Sequence, residues 1–256
     1  MIFLKRVKRK MKIKEIYDFL NKIAPFETAA QWDNTGLCVG SLGKEVDKVI
    51  LSLDVTTDVI NKAEQTGAQL VLTHHPLIFD GIKNIEEDSL VYTAVKSGIT
   101  FLSSHTCLDK ATDGVNDCLA NSVGIKNLCC SEIDEFLKIG DIEPSSAEDF
   151  ANKIKKVLGG KVSFTDSGKT ISKVALCSGS GGDLVFAAAQ EGADALLTGE
   201  AKHHEMLASK ELGVSLFSAG HYETENIVLD YLKNTLESEF EDLQVEIYSP
   251  AVIRHI

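Results

Sequence analysis

The sequence predicts an α/β fold made of two similar layered halves related by an internal repeat, with a metal site in the cleft between them. Three observations lead there: apolar runs alternate with amphipathic stretches, one block of chain recurs without a gap, and both copies end their strands at polar residues in matching places. Residues 48–73, KVILSLDVTTDVINKAEQTGAQLVLT, align with residues 173–198, KVALCSGSGGDLVFAAAQEGADALLT, at a constant offset of 125, and 10 of the 26 pairs are identical. In each copy an apolar run (49–53; 174–177) reads as a buried strand, followed by a turn of small or polar residues. A helix then begins near Asp58 or Asp183, acids that suit a helix N-terminus, and Gly67 or Gly192 fits its end. A second apolar run (69–73; 194–198) is the next strand, which completes a βαβ unit with parallel strands. Farther on, GITFLSSHTCLD (98–109) answers GVSLFSAGHYETE (213–225). After one inserted residue, His105 matches His221 and Asp109 matches Glu225.

The remaining elements follow in order. Residues 1–10, MIFLKRVKRK, are basic and lack the apolar core of a signal peptide; they read as an extension from an upstream start codon, disordered or peripheral. Met11 opens an amphipathic helix, MKIKEIYDFLNKIAP. QWDNTGLCVG (31–40) has turn chemistry around the only tryptophan and reads as fold-defining packing, with Asp33 capping or pairing. The first half spans 11–128. Residues 129–146, with vicinal Cys129 and Cys130, a proline and several acids, read as the connection. The second half spans 147–256 and opens with the helix AEDFANKIKKVLGG (147–160).

Composition narrows the function classes. Apolar residues make up 44% of the 256 and charged residues 25%, enough apolar mass for a sizeable core. A net charge of −12 weighs against nucleic acid as a partner, and no run approaches the ~18 apolar residues of a membrane span. The six cysteines form no Cys-x-x-Cys pair, which fits thiols in a reducing cytoplasm.

The chemistry concentrates just beyond the strand ends, where open α/β sheets bind ligands. In VLTHHPLIF (71–79), His74 and His75 stand where the strand gives way to a turn, free of strict alternation, so each can serve a different ion. Asp109 and Glu225, with two oxygens each, suit bridging of two ions ~3.5–4 Å apart. Imidazole with carboxylate suits a borderline or hard divalent ion. His221 and Glu225 share a face if a helix begins there. CSGSGGDL (177–184) reads first as a tight structural turn and second as a contact for an anionic substrate. It lacks the Gly-Lys-Ser/Thr of a P-loop. GEAKHHE (199–205) reads as support for the site, as substrate contact or as a solvated helix start.

The motifs WDNTGL, THHPLIF, SSHTCLD, CSGSGG, TGEAKHH and AGHYETE, in this order over residues 11–256, resemble the dinuclear-metal family catalogued as GTP cyclohydrolase 1 type 2 homologues. The resemblance implies a toroidal homohexamer, a trimer of dimers, with two divalent ions per subunit; zinc, iron, manganese, magnesium and nickel are the candidates. It implies His74, His75, Asp109, His221 and Glu225 as ligands, with His105 and His204 around them. The short connection leaves no room for the extra domain some members carry. It further implies a metal-dependent hydrolase opening the imidazole ring of a purine nucleotide, with release of formate. Two other functions fit the residues: a dinuclear phosphohydrolase acting on nucleotides or phosphodiesters, and a metal-binding ring scaffold with no catalysis.

Overall fold

The computed structural model describes residues 10–253. The expectation for 1–10 therefore falls, apart from Lys10, outside the described residues. In chain order the elements are α1 (Ile13–Ile23), β1 (Gly36–Val39), β2 (Lys48–Ser52), α2 (Thr57–Thr66), β3 (Leu70–Thr73), α3 (Leu90–Ser97) and β4 (Thr100–Ser103). Then come α4 (Thr106–Lys110), α5 (Val115–Val123), β5 (Lys126–Cys130), β6 (Lys138–Ser145), α6 (Ala147–Leu158), β7 (Ser163–Phe164) and β8 (Ile171–Cys177). The last are α7 (Val185–Gln190), β9 (Ala195–Thr198), α8 (His203–Leu212), β10 (Ser215–Ser218), α9 (His221–Glu225), α10 (Val228–Glu239) and β11 (Gln244–Ile247). Two compact units divide the chain: residues up to Thr106 with Leu232–Ser249, and Cys107–Tyr231 with the segment from Pro250 on.

The first unit is a five-stranded sheet in the order β1-β4-β3-β2-β11, parallel except for β1. All four residues of β3 are buried, the continuous apolar run expected of a parallel strand covered on both faces. Ile50, Val71 and Phe101 pack with Val59, Ile60 and Ala63 of α2 and Ala94 of α3. Each buried methylene here contributes ~0.8 kcal/mol. Thr56 caps α2 by accepting from the Val59 amide at 3.2 Å, and Gly67 ends it at φ 69°, a left-handed turn that glycine takes without strain. α1 buries Ile13, Ile16 and Leu20, one stripe at helical spacing.

The second unit is a six-stranded sheet in the order β5-β6-β8-β9-β10-β7. β8, β9 and β10 are parallel, and β5, β6 and β7 are antiparallel to their neighbours. The βαβ expectation is met in both units with the same register: Val49 faces Leu70 as Val174 faces Ala195, and Ser52 faces Thr73 as Cys177 faces Thr198. The segment read as a connection is different. Much of 129–146 is strand: β6 pairs along β8 from Lys138–Leu176 to Asp141–Lys173, and the register slips before Ser145, a slip that accommodates Pro144. No helix among the described residues is long and apolar enough to cross a membrane.

Candidate metal centre

The site residues follow the carboxyl ends of parallel strands in each unit. In the first unit, β3 runs directly into His74 and His75, and β4 ends two residues before His105. Their backbone is held by the sheet: the His74 amide donates to Ser52 O at 3.3 Å and the His75 amide to Leu53 O at 3.0 Å. The three rings form a cluster, with centroids 5.0 Å apart for His74–His75, 5.1 Å for His74–His105 and 5.3 Å for His75–His105. One ligating atom from each lies within 4.8 Å of the others, a group able to hold a metal ion.

Each ring is anchored through the same nitrogen. His74 Nδ1 lies 3.0 Å from the Ser104 carbonyl oxygen, His75 Nδ1 2.7 Å from Asp54 Oδ1, and His105 Nδ1 2.9 Å from Asp33 Oδ1. A carbonyl or carboxylate oxygen only accepts, so Nδ1 carries the proton and the ring lone pair is on Nε2. Asp33 is itself fixed, its Oδ2 accepting from the Thr106 amide at 3.0 Å and the Thr106 hydroxyl at 2.5 Å. Burial alone would raise its pKa, but the hydrogen bonds from His105 and Thr106 outweigh that and bring it down to about 2. It is a carboxylate at any ordinary pH.

In the second unit, α9 places His221 and Glu225 one turn apart on one face, as the spacing predicts. His221 Nδ1 lies 3.0 Å from Glu200 Oε2, and its Nε2 lies 3.1 Å from Glu225 Oε2. A carboxylate oxygen of Asp109, on α4, comes within 4.8 Å of one of Glu225. The glycine loop after β8 packs against this pair. A Cβ on Gly179, at φ 60°, would strike Glu225 Oε1 and come within 3.2 Å of His221 Nε2. The loop amides are already engaged: Ser178 donates to Asn116 Oδ1, Gly179 to Thr224 Oγ1 and Gly181 to Thr198 Oγ1. These bonds give the CSGSGG loop a structural role as a tight turn. Nearby, burial pushes the Cys177 thiol well up, and the charges of Asp109, Asp134, Glu225 and Asp183 push it further.

The donors fit a divalent cation. Three imidazoles, His74, His75 and His105, present Nε2 with Nδ1 held by an oxygen acceptor, the outer hydrogen bond that orients metal-bound histidines, and the second unit adds His221 between Glu200 and Glu225, with clustered carboxylates that a cation would neutralise. The His204 side chain is 74% exposed, and Glu205 Oε1 is 3.8 Å from its Nε2. Trp32, expected to pack inside, is 65% exposed. Asp33, read from the sequence as capping or pairing, does pair, but its histidine partner was not foreseen, and the positioning carboxylate Asp54 escaped the sequence reading. Asp54 had a signal, since it too follows the carboxyl end of a predicted strand.

An α/β protein with histidine–carboxylate groups able to bind metal beyond its strand ends is the class these features define. The family model described as Duf34/NIF3 (NGG1p interacting factor 3) matches residues 11–254, and the chain belongs to that family. A Methanocaldococcus jannaschii protein named GTP cyclohydrolase 1 type 2 homolog is 35% identical over 250 residues, 93% of this chain and 99% of its own. A Clostridium perfringens protein of the same name is 34% identical over 248 residues, 90% of this chain and 95% of its own. Among solved structures, Staphylococcus aureus protein SA1388 superposes with a TM-score of 0.88 at 27% identity, covering 96% of this chain and 99% of that one. Reduced HcgD from Methanocaldococcus jannaschii gives 0.82 at 33% identity, covering 93% and 98%.

Proposed function

We propose that His74, His75, Asp109, His221 and Glu225 act together as one centre for two divalent cations, and that the protein is a metal-dependent hydrolase. The observation that carries this reading is the shared anchoring of His74, His75 and His105 through Nδ1, which leaves Nε2 as the basic atom in all three, beside the approach of His221 Nε2 to Glu225. When bound, divalent ions supply Lewis acidity and a nucleophile from water at neutral pH. The chain's own contribution is orientation: Asp54 and Asp33 hold His75 and His105 in one tautomer, Glu200 positions the His221 ring, and Gly179 leaves room for the Glu225 carboxylate.

The name of the relatives directs the reaction. We take it as hydrolytic opening of the imidazole ring of a purine nucleotide with release of formate, carried out in a homohexamer, a trimer of dimers closed into a toroid, in the cytoplasm. Purified protein loaded in turn with zinc, iron, manganese, magnesium or nickel is incubated with GTP, and formate and the ring-opened product are measured. Formate in proportion to product supports ring opening; its absence with every metal overturns it. Inorganic phosphate released in its place would make the protein a phosphohydrolase, a reading the engaged amides of the glycine loop do not favour.

A further inference from the structure

The chain buries Phe101, Phe150 and Phe217 fully yet leaves two large aromatic rings open beside the histidine cluster: Trp32, 65% exposed, and Phe79, 49% exposed. Both stand edge to face with one imidazole. The Trp32 ring centroid is 5.8 Å from that of His105 at an interplanar angle of 71°, and Phe79 is 5.7 Å from it at 88°. Phe79 is also 6.4 Å from His75. Exposed aromatic surface costs free energy that burial would recover, and here it is kept beside groups able to bind metal.

The two rings are held by the same parts that orient the histidine. Trp32 immediately precedes Asp33, whose carboxylate is tied to His105 and Thr106, and the Ala30 amide donates to Thr106 Oγ1 at 2.9 Å, so both sides of Trp32 are pinned. Asn34 Nδ2 then donates to the carbonyl of Ile78, the residue before Phe79, at 2.7 Å. One short loop thus ties the chain on either side of Trp32 to His105 and Thr106 and to the residue before Phe79. Rigid aromatic surfaces are sequence-tolerant platforms for planar heterocycles, because every base has a π-face to stack.

We infer that Trp32 and Phe79 form a stacking platform that holds the planar heteroaromatic ring of the substrate, a purine base, against the His75–His105 edge of the metal centre. This rests on the reading of the site as a metal-dependent hydrolase of purine nucleotides, and it names two specificity residues that touch substrate and not metal. An imidazole ring due to be opened has to be presented to the centre by its base, and a triphosphate grip alone would leave the base free to rotate.

Trp32 is the only tryptophan in the chain, so its emission reports this position alone. Metal-loaded protein is titrated with guanosine and GTP, and in parallel with ribose 5-phosphate and inorganic triphosphate. The expected result is saturable quenching by the two purine compounds and none by the ring-free ones. In Phe79→Ala, Kd for guanosine and KM for GTP rise about tenfold while kcat and metal content stay near wild type; Phe79→Tyr keeps both within about threefold of wild type, and Trp32→Phe, which has no indole emission, keeps KM for GTP within about threefold. Equal quenching by triphosphate, no quenching by either purine, or an unchanged Kd in Phe79→Ala overturns the platform. So does an emission shift that follows protein concentration and not ligand, which would make Trp32 a contact between copies of the chain. The two readings fail separately. Purine quenching without formate release defeats the reaction and leaves the platform, whereas formate release at unchanged KM in Trp32→Ala and Phe79→Ala defeats the platform and leaves the reaction.

Discussion

At the end of its second repeated strand the first unit places His74 and His75; 125 residues later, at the same point of the same register, the second unit places Gly199 and Glu200. Asp54, which holds His75, corresponds by the same offset to Gly179, whose bare backbone makes room for Glu225. His105 and His221 both follow the next strand, but an aspartate 72 positions earlier in sequence orients the first, and Glu200, 21 positions earlier, orients the second. The strands agree because their buried apolar faces allow one register, and a slip of one residue would turn every side chain to the wrong face. The residues beyond the strand ends escape that constraint, so one unit became rich in imidazole and the other in carboxylate.

The strongest way to break this comparison is to remove one ligand from each unit. If the two sets work as one centre, His75→Ala and Glu225→Ala each lose both equivalents of metal, read by elemental mass spectrometry on protein purified without chelators. If Glu225→Ala keeps the full metal content, the carboxylate unit is irrelevant to metal and the first unit's imidazoles act alone.

The positioning carboxylates sharpen it next. Asp54→Ala and Glu200→Ala take away the acceptors behind His75 and His221 without touching a ligand. Each is expected to weaken metal binding by roughly 10–100-fold, measured by competition with a chromophoric chelator. Comparable losses would mean that two different residues perform one task. A loss in Asp54→Ala alone would show that the second unit's histidine needs no orientation.

Much of this was legible in the sequence, and the parts that were not share a cause. The parallel strands, the αL glycines at 67 and 192 and the pairing of His221 with Glu225 all arise from local pattern. Asp33 and His105 meet across 72 residues, and β1 pairs antiparallel with β4 inside a stretch whose Asp, Asn and Gly signal only turns. β6 was hidden by its acids and Pro144, residues that argue against a strand until β8 supplies a partner. The exposure of Trp32 departs from the packing role read from its motif; its ring stands against His105 and not in the core.

Two glycines test the loops against each other. Gly192, at φ 71°, has nothing within 4 Å of a would-be Cβ, so Gly192→Ala carries only backbone strain, about 1 kcal/mol, visible as a lower urea midpoint with metal affinity unchanged. Gly179→Ala carries similar strain and also strikes the Glu225 carboxylate. Metal affinity is expected to fall with it. Equal behaviour of the two variants would show that the glycine loop merely turns the chain.

The smallest effect concerns the sheet edge that the first unit gains from β11. Lys48 of β2 and Lys173 of β8 are identical positions of the repeat, but Lys48 Nζ faces Glu246 Oε2 of β11 at 3.4 Å whereas Lys173 Nζ donates to the Glu191 carbonyl. Glu246 also pairs with Lys62 Nζ at 2.6 Å, and that hydrogen bond, together with the weaker one from Lys48, holds its pKa below the ordinary carboxyl value. A carboxyl with a lowered folded-state pKa stabilises only while ionised: its contribution is present above the ordinary value and disappears as pH falls through the lowered one. Glu246→Gln should therefore reduce stability at pH 7 by less than about 1 kcal/mol, a pair this open to solvent being well screened, and should match wild type once acid has discharged the carboxyl. Urea midpoints at pH 7 and near pH 3 separate the cases. A difference that persists undiminished in acid would mean that β11 is joined to β2 by its backbone ladder and side-chain packing, with no part played by charge.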